Sequence, residues 1–410
     1  MQQKLTKAFV EKIGFEQSGQ IFYRDSELKG FGLRVGRTAK VYFAEAKLDG
    51  KTVRKSIARH NVMTIDEARN EARKILTEIS TGKNPFDVER ARKAIKVTVQ
   101  EVLNEYISSR VNLKTSTIQD YRNTFKTYLG DWLNKTLRDI SKDMVEMRFR
   151  KIGENSPAQA NKVMRNFRAV YNYAMIKYED SNGDSIFKTN PVNRISQLRM
   201  WYRVNRRVTY IKPYNLAPWY EAVMNLSNDL IAPNRETIRD YLLFVLFTGL
   251  RRREATALTW NRVDFKDRTF TVIETKNHTD HTLPLTDFLY DMLAVRKANA
   301  VNQYVFPNEF GTGMLNEPKK QIQRVVQESG VSFSLHDLRR TFITIAESLD
   351  ISAYALKRLL NHKMTNDVTA GYIITDVERL RTPMQKITDF ILIQVGQKQS
   401  ASVTPLQRIA

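Results

Sequence analysis

A chain of 410 residues with 42% hydrophobic content is long enough for about two to four domains rather than one core. It has no cysteine, which excludes disulfide frameworks and thiolate metal sites and fits an intracellular setting. The formal charge of +22 asks for a polyanionic partner, and nucleic acid is the common one. The basic excess runs through the front, middle and back of the chain and is greatest in the middle, whereas a basic tail would concentrate it at one end. No apolar run approaches the roughly 18 residues of a membrane span, and Met1-Gln2-Gln3-Lys4 leads into no signal-peptide core. A soluble cytoplasmic protein with no membrane partner is expected.

In chain order, Ile21-Phe22-Tyr23-Arg24, Gly32-Leu33-Arg34-Val35 and Val41-Tyr42-Phe43-Ala44 alternate or carry aromatics, and turn signals such as Leu48-Asp49-Gly50-Lys51 separate such runs. They predict a small sheet. Thr64-Ile65-Asp66-Glu67 is a capping box that opens a helix over 68–79, closed by Gly82 and Pro85. Lys93–Lys96 reads as a basic linker. His60 has no supporting motif.

Beyond the linker the pattern is helical. Helices are expected over 97–111 and 116–129, with Thr98 and Thr115 or Ser116 at their starts, after Asp139-Ile140-Ser141, and over 158–178. In the last of these Lys162, Arg165 and Arg168 recur every three residues and could line phosphates, with Asn161 and Asn166 nearby for base edges. A merely solvated charged face is an equal reading for any one of them. Asn190-Pro191-Val192 closes this segment before the basic stretch 194–207.

From about 208 the pattern becomes mixed. The run 239–248 is almost wholly apolar after Tyr241 and ends at Gly249, so Arg251 begins a new turn beside a buried helix. Short strands are expected at Val263-Asp264-Phe265, 269–274 and 281–285, with Lys276 in a turn over 276–280 where a hairpin projects it. Ser334-Leu335-His336 opens a helix running to about Ser348, a second over 352–360 delivers His362, and Tyr372 follows a polar loop. Last, Phe390-Ile391-Leu392-Ile393-Gln394-Val395 must bury an apolar face, on its own domain or on a neighbour.

Six of these residues suit phosphodiester transfer: Arg251, Lys276, His336, Arg339, His362 and Tyr372. The reaction needs a nucleophile, stabilisation of extra negative charge, and proton transfer. A tyrosine hydroxyl can attack phosphorus and keep the bond energy in a covalent link, so rejoining needs no high-energy cofactor. Two guanidiniums can grip non-bridging oxygens with fork geometry. Their surroundings are Thr248-Gly249-Leu250-Arg251-Arg252-Arg253-Glu254, Thr275-Lys276-Asn277 with Thr282-Leu283-Pro284-Leu285, His336-Asp337-Leu338-Arg339-Arg340-Thr341, and Leu360-Asn361-His362.

In these motifs and their order the sequence resembles the tyrosine recombinases, specifically the phage and genomic-island integrases, over about residues 4–385. The run Leu28-Lys29-Gly30-Phe31-Gly32-Leu33-Arg34-Val35 and Asp66-Glu67-Ala68-Arg69 resemble the arm-site DNA-binding domain of that family, whose sheet enters the major groove and places Arg34 among the candidate DNA contacts. The helical middle resembles the core-binding bundle that clamps one face of the duplex.

The resemblance implies a multidomain fold: a small α+β arm-binding domain over 1–90, an all-α core-binding bundle over 97–195, and a mainly α catalytic domain with a small antiparallel sheet over 208–385. A tail over 386–410 is expected to dock in trans. Tyr372 is implied as nucleophile, Arg251 and Arg339 as the phosphate clamp, and Lys276 as general acid, with His278 or His281 as other candidates to line the site. His336 and His362 assist proton transfer or bond the phosphate. Glu254 orients Arg251 or caps its turn. Asn361 stands where many members have glycine, and Arg253 where many have a small residue.

The implied activity is integration and excision of a mobile element through a 3′-phosphotyrosine, with no metal or other cofactor. The implied partners are double-stranded core and arm attachment sites, three further copies of the chain on two duplexes, and an accessory DNA-bending protein, at the nucleoid. A type IB topoisomerase, or a non-cleaving DNA-binding regulator with the same fold, are the alternatives.

Overall fold

Asp49 and Gly50 have φ of 48° and 79°, the successive left-handed residues of a two-residue hairpin turn. They join the two longest strands of the front sheet. The structure, a computed structural model, describes residues 1–228, 234–273, 279–362 and 376–399. By contacts the chain divides into two compact units, Met1–Asn205 and Arg206–Ala410.

The first unit starts with a five-stranded sheet in sequential order: β1 (Gln2–Gln3), β2 (Ile21–Asp25), β3 (Phe31–Val35), β4 (Lys40–Leu48) and β5 (Lys51–Arg59), with α1 (Lys7–Lys12) between β1 and β2. Only the β1–β2 pair is parallel. Phe31, Leu33 and Val35 are buried while Gly32 and Arg34 face the other way, the period of two that gives a strand one core face. Over that face α2 (Ile65–Ser80) lays Ala68, Ala72, Ile75 and Ile79. Its capping box is present as expected, since Glu67 N donates to Thr64 Oγ1 and the Glu67 carboxylate accepts from Thr64 N.

Strand β5 was not among the expected elements. Its inward residues are Val53, Lys55 and Ile57, and the lysine breaks the apolar alternation while its Nζ reaches the Pro85 carbonyl at 3.1 Å. The supposed linker is also corrected. Pro85 does not close a helix but opens α3 (Pro85–Lys96), with Asn84 Oδ1 capping Phe86 N, so Lys93–Lys96 is helical and Ala94 is fully buried in the next core.

That core belongs to α4 (Val99–Ser108), α5 (Thr115–Leu129), α6 (Lys142–Asn155), α7 (Pro157–Lys177) and the short α8 (Asn193–Gln197). Thr98 caps α4, whereas Lys114, rather than Thr115 or Ser116, is the N-cap of α5. Phe125, Trp132, Phe149 and Phe167 fill the centre.

In the second unit α10 (Arg235–Thr248) is buried from Tyr241 through Thr248. Around it pack α9 (Pro213–Asn225), the small α11 (Arg252–Thr256), α12 (Asp287–Ala298), α13 (Lys319–Ser329), α14 (Leu335–Ser348), α15 (Ala353–Leu359) and α16 (Glu378–Gln394), with the antiparallel sheet β6 (Val263–Asp264), β7 (Thr269–Val272) and β8 (His281–Pro284). On α16, Leu380, Met384, Ile387 and Ile391 are buried in this core, and Phe390, Leu392 and Val395 pack against it. The stretch 390–395 thus packs in part on its own unit, and residues 400–410 of the tail expected to dock in trans lie outside the described residues. No helix among the described residues is long and apolar enough to cross a membrane.

Candidate active site

Three turns of the second unit and the end of one strand pair converge. The first follows α10, where Gly249 adopts φ 62° and reverses the chain. A Cβ there would lie 2.5 Å from Cδ1 of Phe342, so both conformation and space require glycine. Arg251 is the N-cap of α11, its backbone N donating to Glu254 Oε2 at 3.0 Å and its Nη1 to Oε1 at 2.8 Å. Both expected roles of Glu254, orienting Arg251 and capping the turn, are present.

The second turn starts α14. Ser334 and Asp337 form a capping box in which the Asp337 carboxylate accepts from Ser334 N and Oγ. Asp337 Oδ1 also accepts from Thr209 Oγ1 at 2.8 Å and Arg340 Nη1 at 2.7 Å, while Thr341 Oγ1 accepts from Ile211 N. These bonds fix the segment that leads into the unit against α14. His336 is exposed at the start of the helix, and Arg339, one turn on, is only 4% exposed.

Arg339 joins three of the turns. Its Nη1 donates to the Gly249 carbonyl at 2.5 Å, and its Nη2 donates to the Leu360 carbonyl at 2.8 Å and lies 3.3 Å from His362 Nε2. The Leu360 carbonyl is one of the groups left unpaired by the end of α15. Asn361 then takes φ 48°, a left-handed position that asparagine tolerates, which explains how it replaces glycine there. The β7–β8 strand pair comes in beside these turns at its described end, where Val272 pairs with His281 and His281 Nε2 lies 3.1 Å from the Leu359 carbonyl.

Electrostatically the site is short of negative charge. Burial, then the positive field of Arg251, lowers the Arg339 pKa to about 10, with Glu254 opposing. His336 and His362 are pushed below the usual histidine range, first by partial desolvation of rings that keep one side open to solvent and then by the neighbouring cationic side chains. His281 moves the same way through burial, partly offset by its bond to the Leu359 carbonyl. The cluster thus holds two buried or half-buried guanidiniums beside three imidazoles biased toward the neutral form, a setting that favours an oxyanion with dispersed charge. Among the described residues no three His, Asp or Glu side chains converge as a metal site would require.

Of the six residues expected from sequence, Arg251, His336, Arg339 and His362 are brought together; Lys276 and Tyr372 lie outside the described residues. Sequence reasoning did not identify the Gly249 carbonyl, Asp337 or the bond made by His281, because each role depends on a partner distant in sequence.

On the first unit, Arg34 lies on the sheet face turned away from the core. Arg24 and Arg54 share that face, both paired to Glu45, and the Arg54 guanidinium lies 4.3 Å from the Phe22 ring centroid. On α7, Lys162 is paired with Asp120 at 2.5 Å, while Arg165 and Arg168 stand 5.7 and 5.4 Å from the Trp201 ring. Asn161 is corrected: it is 4% exposed and bonds the backbone N and O of Tyr202, so it holds the chain together rather than reading bases.

With this geometry in view, comparison with known proteins gives consistent matches. Residues 219–379 match the phage integrase family and residues 5–92 an arm DNA-binding domain. The prophage integrase IntF of Escherichia coli (strain K12) is 25% identical over 429 residues, spanning 93% of this chain and 88% of that protein. The fold is similar to that of a lambda integrase dimer bound to a COC′ core site, with a TM-score of 0.53 and 19% identity over 88% of this chain and 95% of the other. A lambda integrase tetramer bound to a Holliday junction matches with a TM-score of 0.51 and 16% identity over 88% and 100%. Residues 219–379 are thus a phage integrase family domain, behind an arm DNA-binding domain over residues 5–92.

Proposed function

We propose that this protein integrates and excises a mobile genetic element by site-specific recombination. The observation that carries the reading is that the buried Arg339 is tied to the Gly249 carbonyl, two residues before Arg251, and that its pKa falls to about 10 through burial and then the positive field of Arg251. A phosphodiester placed between them would supply the missing negative charge. Tyr372 Oη attacks phosphorus as its proton passes to His336 or His362, the bond to the 5′ oxygen breaks, and that oxygen leaves as a hydroxyl with a proton from Lys276. The products are a 3′-phosphotyrosine and a free 5′ hydroxyl, and rejoining reverses these steps with a different 5′ end. Arg251 and Arg339 hold the non-bridging oxygens, and His336 and His362 bond the phosphate or relay protons.

Double-stranded DNA is the partner. Residues 1–90 would bind arm sites through the face carrying Arg34, and 97–195 would bind core sites through α7, with Arg165 and Arg168 on phosphates. Four copies on two duplexes, and a DNA-bending protein that lets one chain reach both sites, complete the proposed assembly at the nucleoid.

The test is a nicked duplex carrying the sequences that flank the gene, incubated with the protein and with Tyr372→Phe. A covalent adduct from the parent alone supports the reading. DNA binding without an adduct would favour a non-cleaving regulator. Relaxation of a supercoiled plasmid lacking those sequences would favour a topoisomerase.

A further inference from the structure

The end of α15 is held by two side chains from separate elements. Arg339 on α14 takes the Leu360 carbonyl, and His281 on β8 takes the adjacent Leu359 carbonyl at 3.1 Å. A carbonyl can only accept, so His281 Nε2 carries the hydrogen, and in the neutral ring that burial favours Nδ1 is the acceptor. The turn between them makes its own local bonds, Asn361 N to the Arg358 carbonyl at 3.0 Å and His362 N to the Lys357 carbonyl at 2.9 Å. It then presents the His362 ring 3.3 Å from Arg339. His281 also lies in the same strand pair that leads to Lys276, directly opposite Val272.

We propose that His281 is a positioning residue: its Nε2–H holds the Leu359 carbonyl and so registers the β7–β8 hairpin against the turn that sets His362 beside Arg339. This rests on the recombinase reading for its consequence, but not for its geometry. His281 transfers no proton in this role. It matters as a donor of fixed reach, which glutamine shares and phenylalanine or asparagine does not, since asparagine is one bond shorter.

The test compares full-length parent, His281→Gln, His281→Phe and His281→Asn. Amide hydrogen exchange across Asn361 and His362, measured without DNA, should quicken by about tenfold in the Phe and Asn variants, the factor equivalent to one lost hydrogen bond, and stay near the parent rate in the Gln variant. Single-turnover adduct formation on the nicked duplex should fall in the same order, with DNA affinity unchanged. Two variants lacking the reach keep the test open if one does not fold. Parental exchange in both would overturn the proposal. So would a Gln variant as slow in cleavage as the Phe variant with its exchange unchanged, because the imidazole would then be acting in the chemistry. If the parent forms no adduct but the exchange pattern holds, the recombinase reading falls and the positioning role stands.

Discussion

Arg339 and His362 meet across 3.3 Å, one from the first turns of α14 and the other from just beyond α15, and the same Arg339 Nη2 also holds the Leu360 carbonyl two residues before that histidine. On the proposed reading the guanidinium both binds the phosphate and braces its neighbour. Lysine could keep the charge but not both carbonyl contacts.

Arg339→Lys should therefore lose more than charge placement. Cleavage of the nicked duplex is expected to drop by about 10²–10³-fold, the usual scale for losing one oxyanion donor. A carbonyl left unpaired in the interior should also cost about 1–3 kcal/mol, read as a lower urea midpoint. Cleavage within a few-fold of the parent would contradict this assignment.

At Gly249 the φ of 62° and the 2.5 Å approach of Phe342 act together. Gly249→Ala is expected to destabilise the protein by about 1–3 kcal/mol through backbone strain and overpacking. Because the Gly249 carbonyl holds Arg339, the cleavage rate measured below the melting range should fall as well. A loss of stability with full cleavage would separate the turn from the site.

The histidines set a pH window. His281, His336 and His362 have folded pKa values below the ordinary value of about 6.5, so the unfolded chain binds more protons between the two. Their contribution to stability is present above about pH 6.5 and is lost as pH falls through the folded values. The carboxylates of Asp25 and Asp337, also lowered, add a second loss only at more acidic pH. Urea midpoints at pH 7.5 and 5.5 should show the first decline, and cleavage should weaken with it as the imidazoles gain charge beside Arg251 and Arg339. A midpoint that rises toward pH 5.5 would reverse the sign.

DNA affinity should depend steeply on salt through counterion release. Arg165→Gln is expected to reduce the slope of log affinity against log salt by about one, as one phosphate contact is removed. Lys162→Gln should change it little, because Lys162 is already paired with Asp120. Trp201→Ala, which removes the ring beside both arginines, should weaken binding without changing net charge. Equal slopes for all three proteins and the parent would remove α7 from the DNA interface.

What the sequence alone determined is what local chemistry controls. The capping box at Thr64, the helix start at Thr98, the glycine stop at Gly249 and the apolar run of α10 act within a few residues, so their elements were legible. So were the motifs around Arg251, His336, Arg339 and His362, since their residue types and order carry the family pattern. Strand β5 and helix α3 were not legible, because Lys55 and Lys93–Lys96 look like solvent or linker until the Pro85 carbonyl and the core around Ala94 are in place. The tertiary structure alone decided that Asn161 is a buried tie to Tyr202 and that α16 covers its own core. It also decided that His281 and Arg339 grip successive carbonyls at the end of α15. Those roles are bonds between residues far apart in the chain, and no local pattern specifies a partner that only folding brings within 3 Å or so.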